Sequence, residues 1–334
     1  MAEDPTAAPD TSRGGSETAG GAGRRVGVVD LGTNSTRLLV AEVQDGRVAE
    51  LDRRTVVTRL GEGVEASGRL SDAAIARVCE ALAVYREVID RLGAGEVVAV
   101  ATSAMRDAEN GSAFRDEIRE RFGIDARTIS GDEEARLTFL GATSSREAGA
   151  ETLVIDIGGG STEYVTGKAR SDPSFHVSTR MGSVRHTERY LHSDPPTPDE
   201  MASLAEDARA IVKADVPADM RERVEQGIAV AGTATTLAAI AQDLDPYDPD
   251  KVHGYRVGLG TCERIVAQLA ALTVAARRRV TGLHPDRAPS IVAGAVILLE
   301  SMRAFELDEV ETSEADILHG AALAATASGV EPKD

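Results

Sequence analysis

Short apolar runs that end in polar or glycine-rich residues recur along the chain and predict buried strands. The clearest cover residues 26–30, 97–101 and 153–156. Residues 71–92 instead carry apolar side chains at helical spacing, which predicts an amphipathic helix with Ser71 as its N-cap and Gly93 as its end. Strands that alternate with helices predict an α/β fold in which strand ends lead into loops.

Weaker patterns complete this prediction. Further strands are expected at residues 37–43, 127–130, 163–166 and 228–231, and helices at 112–122 and from Asp132 onward. After a proline-rich connector at 194–198, the second half of the chain is expected to be mainly helical.

An internal repeat divides the chain. The segment VGVVDLGTNSTRLLV, which contains Asp30, is closely similar to TLVIDIGGGSTEYV, which contains Asp156. Two copies of a strand, a tight loop and a second strand indicate two related domains. We expect an N-terminal domain over residues 25–141 and a C-terminal domain over 142–328. Residues 1–24, rich in Gly, Ala, Ser, Thr and Pro, are expected to form a disordered tail, and 329–334 a second tail.

Composition restricts the class of protein. The 334 residues are 42% hydrophobic and 28% charged, with a net charge of −18. These values are typical of a globular protein, and neither a membrane-spanning run nor a secretory signal is evident, so we expect a cytoplasmic protein that does not bind membranes. The negative charge argues against nonspecific binding to nucleic acid. A polyanionic substrate would have to be attracted locally, by a cation-lined cleft or a bound metal.

Cysteine and histidine residues suggest no metal centre of their own. Cys79 and Cys262 lack the spacing of a zinc or redox motif, and Cys79 lies on the apolar stripe of a predicted helix. The six histidines show no ligand spacing either.

Loops of the form Asp-x-Gly followed by hydroxyl or amide residues suit phosphate binding. Glycine lets the backbone approach a ligand closely, exposed N–H groups bind anions, and the aspartate at the strand end can hold Mg²⁺. A single loop of this kind is more typical of a plain turn. Two copies, with a third Gly-Thr loop at residues 232–236, favour a phosphate-handling protein.

The loops and the segments between them resemble a known family. DLGTNS, DIGGGSTE and AGTATT resemble the phosphate and adenosine loops of the superfamily of acetate and sugar kinases, heat-shock chaperones and actin. ATSAMRDAENG, ISGDEEARLTFLG and MGSVRHTERYL are similar to its exopolyphosphatase and guanosine pentaphosphate phosphohydrolase branch, the Ppx/GppA phosphatases, in their short two-domain form. The resemblance covers roughly residues 25–325. It implies two ribonuclease-H-like domains of the actin-like ATPase superfamily, with mixed sheets, flanking helices and an interdomain cleft.

The same resemblance implies roles for individual residues. The phosphate-binding residues would be Asp30, Gly32, Thr33, Asn34 and Ser35 in the first loop, Gly158, Gly159, Gly160 and Ser161 in the second, and Gly232 and Thr233 in the third. Asp156 and Glu163 would be the carboxylates that hold Mg²⁺, or Mn²⁺ in its place. Arg106 matches the family's phosphate-contacting arginine, and Glu134 matches its catalytic base, which would activate water.

Several of these residues have simpler explanations. Glu134 and its acidic neighbours begin a predicted helix, where the helix dipole favours negative charge, and Asp132 is expected to be the cap. Glu163 could be one polar residue of an alternating strand. Arg185 could reach the interdomain cleft or lie on an exposed helix. The cluster of Arg277, Arg278, Arg279 and Arg287 could guide a polyphosphate chain or be a solvated helix end.

The substrate and the reaction have alternatives too. The resemblance implies hydrolysis of inorganic polyphosphate or guanosine pentaphosphate by a homodimer. A kinase on the same fold, or a catalytically weak sensor that binds these compounds, are the competing interpretations. One departure bears on the substrate: residues 318–320 read Leu-His-Gly where many members have Leu-Arg-Glu-Gly.

Overall fold

The protein was analysed as a computed structural model that describes residues 23–147, 149–169 and 171–327. The tail expected at 1–24 lies outside these residues except for its last two, and Arg24 already belongs to the first strand. The tail expected at 329–334 also lies outside them.

The first repeat begins a five-stranded mixed sheet with the order β3-β2-β1-β4-β5. Its strands are β1 (Arg24–Leu31), β2 (Thr36–Gln44), β3 (Arg47–Val56), β4 (Glu96–Ala101) and β5 (Ala126–Thr128). The first three pair antiparallel, and β4 and β5 extend the sheet in parallel. The helices of this half are α1 (Val64–Ser67), α2 (Asp72–Leu92), α3 (Ser103–Asp107), α4 (Gly111–Phe122) and α5 (Gly131–Thr143).

The second repeat begins a six-stranded mixed sheet with the order β10-β11-β9-β6-β7-β8. Its strands are β6 (Thr152–Ile157), β7 (Thr162–Gly167), β8 (Phe175–Thr179), β9 (Gln226–Val230), β10 (Arg256–Gly258) and β11 (Glu309–Thr312). The helices are α6 (Ser183–Tyr190), α7 (Pro198–Asp215), α8 (Ala218–Arg221), α9 (Ala231–Ala241), α10 (Pro249–Val252), α11 (Leu259–Ala270), α12 (Val274–Arg277), α13 (Ile291–Ala304) and α14 (Ile317–Ala327), with a 3₁₀ turn at Pro285–Arg287. Two mixed-sheet α/β domains with flanking helices, as the repeat predicted, are therefore confirmed.

The predicted amphipathic helix is confirmed as α2. The Ser71 side chain accepts a hydrogen bond from the Ala74 N–H, and Gly93 ends the helix in the left-handed conformation. Its apolar face packs on one side of the first sheet, with Cys79 and Leu82 buried against it. Cys79 is thus a core residue, as its position on the apolar stripe predicted.

The C-terminal helix α14 packs against the first sheet. The sequence assigns it to the second domain, yet it packs on the other face of the first sheet, where Leu318 and Ala321 join Val26 and Val28 in one core. Its apolar face matches either sheet, so the local sequence could not settle this packing.

Helix α5 lies between α14 and the second sheet. Phe139 on α5 packs with Val154 and Val165 of that sheet, while Leu137 packs with α14. Gly141 and Gly320 permit the close approach of the two helices, because a Cβ at either position would overlap the backbone of the other helix. Helix α5 is thereby held between the two sheets.

Two local predictions are wrong. Ser130, rather than Asp132, caps α5, since its hydroxyl accepts the Glu133 N–H at 3.1 Å. Residues 232–236 form the first turns of α9 rather than a loop. Within the part of the chain that the structure describes, no helix is long and apolar enough to cross a membrane.

Candidate active site

The two copies of the repeat form matching turns. The Gly32 N–H donates to the Ser35 carbonyl at 3.0 Å, and the Gly158 N–H donates to the Ser161 carbonyl at the same distance. The turns meet across the cleft, because a Cβ at Gly159 would lie 3.0 Å from the Cβ of Thr33. The predicted interdomain cleft is therefore lined by both turns, and glycine is required where they meet.

The aspartates of the two repeats face cross-strand partners of opposite charge type, a base in the first repeat and an acid in the second. Asp30 on β1 pairs in register with Arg37 on β2, and Asp156 on β6 pairs in register with Glu163 on β7. Residues directly opposite in an antiparallel pair have Cβ atoms about 4.5–5.5 Å apart, and like charges there destabilise the pair. The first turn is thus internally neutralised, and the second turn concentrates negative charge.

Arg37 joins the first turn to the C-terminal helix. Its guanidinium lies 2.7 Å from the Asp30 carboxylate and also pairs with Asp316, just before α14. Burial alone would raise the pKa of Asp316, but Arg37 and Arg53 outweigh it and lower this pKa. Burial raises the pKa of Asp30 despite Arg37, and the buried Asp30 Oδ1 has no hydrogen-bond partner within residues 23–147, 149–169 and 171–327.

Among the residues that the structure describes, no arginine forms an ion pair with Asp156 or Glu163. Burial, reinforced by Glu163, raises the pKa of Asp156 to about 8. Burial likewise raises the pKa of Glu163, although the Ser178 hydroxyl donates to its Oε1 at 2.7 Å. Thr138 donates to Asp156 at 3.3 Å. Two buried carboxylates that resist ionisation side by side would be stabilised by a bound cation.

Glu134 lies at the N-terminal end of α5 and lines the cleft. It is 8% exposed, whereas Asp132 is exposed and Glu133 pairs with the exposed Arg127. The helix dipole explains acidic residues at this helix start but does not explain why Glu134 alone is buried in the cleft. Burial, then Glu163 and Asp156, raises the pKa of Glu134 well above its ordinary value.

Arg106 reaches the same place from α3. Its Nη1 donates to the Ile129 carbonyl at 3.0 Å and lies 3.6 Å from Glu134 Oε2. That Glu134 oxygen is buried and has no hydrogen-bond partner in the part of the chain described. A carboxylate oxygen free to accept a proton, with a guanidinium beside it, suits the activation of water near a phosphoryl group.

The residues of the second turn fit a Mg²⁺ ion in a particular way. No group of three or more His, Cys, Asp or Glu side chains converges as a metal cage among residues 23–147, 149–169 and 171–327. Mg²⁺ is usually bound by one or two carboxylates together with water and substrate phosphates. Asp156 and Glu163, opposed and buried, match that smaller donor set.

The cleft has a volume of about 880 Å³. It is lined by twelve of the residues that the sequence singled out, with serine, threonine and arginine side chains between them: Asp30, Gly32, Thr33, Asn34, Ser35, Glu134, Asp156, Gly158, Gly159, Ser161, Gly232 and Thr233. Five arginines also line it: Arg37, Arg53, Arg278, Arg279 and Arg287. Seven acidic residues line the same cleft: Asp30, Glu50, Glu134, Asp156, Asp245, Glu314 and Asp316. Arg37 and Arg53 pair with four of these acids, so the local attraction of a polyanion would depend on Arg278, Arg279 and Arg287 and on a bound cation.

The family model of the Ppx/GppA phosphatase family matches residues 39–326. The chain belongs to the Ppx/GppA phosphatase family. It is 38% identical over 317 residues to exopolyphosphatase 2 of Mycobacterium tuberculosis, an alignment that covers 90% of this chain and 98% of that protein.

Solved structures of Ppx/GppA phosphatases agree with this assignment. A family member from Aquifex aeolicus, 30% identical, superposes with a TM-score of 0.78 and covers 92% of this chain and 99% of its own. An exopolyphosphatase from Cytophaga hutchinsonii, 26% identical, gives 0.82 with the same coverage. The expected actin-like ATPase fold is confirmed by these neighbours.

Arg185 of this Ppx/GppA phosphatase joins the domains. Its Nε donates to the Gly160 carbonyl at 2.8 Å and its Nη2 to Asp107 at 3.0 Å, and it also pairs with Glu65. Arg185 therefore lies between the domains rather than on an exposed helix face, but it lines cavities beside the main cleft instead of the cleft itself.

The arginine cluster divides between two environments. Arg277 is buried and donates to the Leu269 carbonyl at 2.7 Å, so it is a structural residue. Arg278, Arg279 and Arg287 face the cleft. The Arg287 guanidinium lies against Gly232, where any side chain would overlap it. The helical segment at residues 232–236 therefore contacts a cationic side chain.

Three expected site residues lie apart from the cleft surface. Arg106 and Gly160 line a neighbouring cavity, and Glu163 is buried behind the second turn at 1% exposure. At residues 318–320, where this chain has Leu-His-Gly instead of the Leu-Arg-Glu-Gly of many members, His319 Nε2 lies 3.0 Å from Glu50 Oε1.

Sequence reasoning missed Arg37, Arg53 and Asp316. A signal for Arg37 was present: it follows Asp30 by seven residues, as Glu163 follows Asp156. Asp316 had no such signal, because it reaches Arg37 only through the packing of α14 on the first sheet.

Proposed function

We propose that this chain hydrolyses the terminal phosphoanhydride bond of inorganic polyphosphate. The single observation that carries the proposal is the position of Glu134, a buried and partly unpartnered carboxylate beside Arg106 and facing two phosphate-type turns. The family assignment and the relatives that are named exopolyphosphatases support it.

The residues have separate tasks in this reaction. Glu134 accepts a proton from a water molecule while the water oxygen attacks the terminal phosphorus. The bridging P–O bond breaks, which releases orthophosphate and leaves a chain one phosphate shorter. The Arg106 guanidinium balances charge on the terminal phosphate. The Gly32 and Gly158 N–H groups close the turns, so the backbone N–H groups of residues 33–35 and 159–161 would orient the phosphates.

Asp156 and Glu163 would hold the divalent ion in this proposal. An Mg²⁺ ion held there, or Mn²⁺ in its place, would supply positive charge to neutralise the phosphates. A bound cation would stabilise the ionised forms of these two opposed, buried carboxylates, since each raises the free energy of ionising the other.

Guanosine pentaphosphate is a second candidate substrate. Beyond the turns, the cleft is lined by Leu244, Tyr247 and Leu283 beside Arg287. Such a mixture of apolar, aromatic and cationic side chains suits a guanosine group. A bare phosphate chain would not require the apolar and aromatic side chains. We also propose, from the family resemblance, that the protein acts as a cytoplasmic homodimer, which light scattering of the purified protein tests.

A panel of substrates tests the proposed reaction. Phosphate release would be measured from long-chain polyphosphate, short-chain polyphosphate, guanosine pentaphosphate, and ATP with a sugar, each with Mg²⁺ and with EDTA. We expect Mg²⁺-dependent release from polyphosphate. Transfer from ATP to the sugar without release of free phosphate would indicate the kinase alternative, and binding without turnover would indicate the sensor.

A further inference from the structure

A second cavity, of about 380 Å³, adjoins the main cleft. Ser103 and Ser161 line both spaces and form the partition between them. A Cβ at Gly160 would lie 2.6 Å from the Ser103 hydroxyl, so the second turn and the start of α3 are in direct contact there. The partition is thin and consists of small side chains.

The proposed reacting centre lies at this partition. Glu134 lines the main cleft and Arg106 lines the second cavity, and the two side chains approach to 3.6 Å. A terminal phosphate that contacts both groups must therefore lie where the two spaces adjoin. One side leads to the main cleft and the other to the second cavity.

We propose that the second cavity is an exit site for orthophosphate, used while the shortened polyphosphate stays bound in the main cleft. The inference rests on the proposed hydrolysis. After cleavage, the remaining chain occupies the main cleft in front of the product. Two polyanions in one cleft repel each other, so release through the adjoining second cavity is electrostatically easier than release past the chain.

The lining of the cavity suits a transient phosphate. Arg106, Arg180 and Arg185 face it, together with Asp107 and Asp132. Arg185 is already held by Asp107 at 3.0 Å, and Arg180 lies 3.9 Å from the same carboxylate. The arginines can attract phosphate, while the acids weaken its retention, which is what a passage requires and a storage site does not.

His176 and Arg180 mark the mouth of the cavity. Their side chains are 39% and 71% exposed and both line it. Neither belongs to the turns or contacts Glu134 or Arg106 through a described hydrogen bond or ion pair. Substitutions here can therefore obstruct or repel phosphate without altering the proposed chemistry.

The first test compares cleavage with release. His176→Trp narrows the mouth and Arg180→Glu reverses its charge, and the exposed position of Arg180 makes its variant compatible with folding. With Mg²⁺ and excess polyphosphate, acid quenching measures phosphate cleaved in the first turnover, and a fluorescent phosphate sensor measures phosphate released. We expect cleavage within about twofold of the unchanged protein and release slowed about fivefold or more. Release that keeps pace with cleavage in both variants would overturn the exit site.

A second test uses added inorganic phosphate as the probe. If phosphate can bind in the second cavity while polyphosphate fills the cleft, product inhibition against polyphosphate is noncompetitive, and Arg180→Glu weakens it several-fold. The matched control, Arg278→Glu at the exposed side of the main cleft, should raise KM for polyphosphate and leave inhibition by phosphate unchanged. Purely competitive inhibition would overturn the proposal. Absence of cleavage by the unchanged protein would instead refute the proposed function itself, so the two failures are distinct.

Discussion

Asp156 and Glu163 lie directly opposite each other across the antiparallel pair of β6 and β7. The equivalent positions of the first repeat hold Asp30 and Arg37, which form an ion pair. One duplicated framework thus gives a neutralised turn and a turn with two buried acids. The difference of one residue at the same register position is the reason why we propose the cation site in the second domain.

Removing one of these opposed carboxylates should stabilise the metal-free protein. Glu163→Gln removes the repulsion at Asp156, so we expect the melting temperature in EDTA to rise by about 2 °C or more. The same change should abolish most of the stabilisation that Mg²⁺ gives the unchanged protein. Thermal unfolding with EDTA and across a Mg²⁺ titration measures both. Glu133→Gln, on the surface of the neighbouring helix start, is the control and should change neither.

Glu134→Gln should lower kcat by on the order of 10²-fold or more, because the amide cannot accept the proton of the attacking water. KM for polyphosphate should change little, since the shape and hydrogen-bonding reach of the side chain are kept. Steady-state kinetics with Glu133→Gln alongside checks the assignment. Loss of activity in Glu133→Gln with Glu134→Gln still active would move the base by one residue.

Arg106→Gln should shift the acid limb of the pH–rate profile to higher pH. Arg106 favours the ionised form of Glu134, so its loss raises the pKa of a carboxyl that must be deprotonated to act as the base. Activity at low pH should therefore fall more than activity at high pH. The measurement is kcat/KM across pH, and a uniform loss at every pH would show that Arg106 acts on the substrate alone.

Arg37→Met should destabilise the fold strongly. The change strands Asp30 and Asp316 as buried carboxylates, and removal of one partner of a buried ion pair costs about 3–5 kcal/mol. Denaturant unfolding measures the loss. The triple variant with Asp30→Asn and Asp316→Asn should recover part of it, whereas Arg47→Met at an exposed position of β3 should cost little.

His186 should make stability fall on acidification. The side chain is fully buried, with the Gly182 N–H donating to Nδ1 at 3.4 Å and Asp207 3.2 Å from Nε2. Burial lowers the pKa of His186 despite Asp207. Below pH about 6.5 the unfolded chain therefore binds a proton at His186 that the folded state resists. As the pH falls further, this residue lowers the free energy of unfolding by up to about 1.4 kcal/mol per pH unit.

The comparison of His186→Gln with the unchanged protein isolates that contribution. The free energy of unfolding of His186→Gln should depend less steeply on pH between about 6.5 and 5. The exposed His192 provides the control, because His192→Gln should leave the slope unchanged. Equal slopes in all three proteins would contradict the prediction.

The sequence by itself determined the local framework. Apolar periodicity, Ser71 and Gly93 defined α2, and the repeated Asp-x-Gly turns defined both phosphate-type loops and the two-domain division of the sheets. These features depend on residues close together in the chain, whose spacing and backbone preferences are visible in one dimension. The motifs between the turns also pointed to the family that the comparisons confirm.

Tertiary structure decided the partners of the charged groups. In the sequence, Arg37 follows Asp30 by seven residues and Glu163 follows Asp156 by seven. Only the strand register showed that the two residues of each pair lie opposite each other on neighbouring strands. The place of α14 on the first sheet, and with it the contact of Asp316 with Arg37, depends on packing between segments some 280 residues apart. An apolar helix face specifies burial but not which sheet buries it, so long-range packing had to supply the rest of the site.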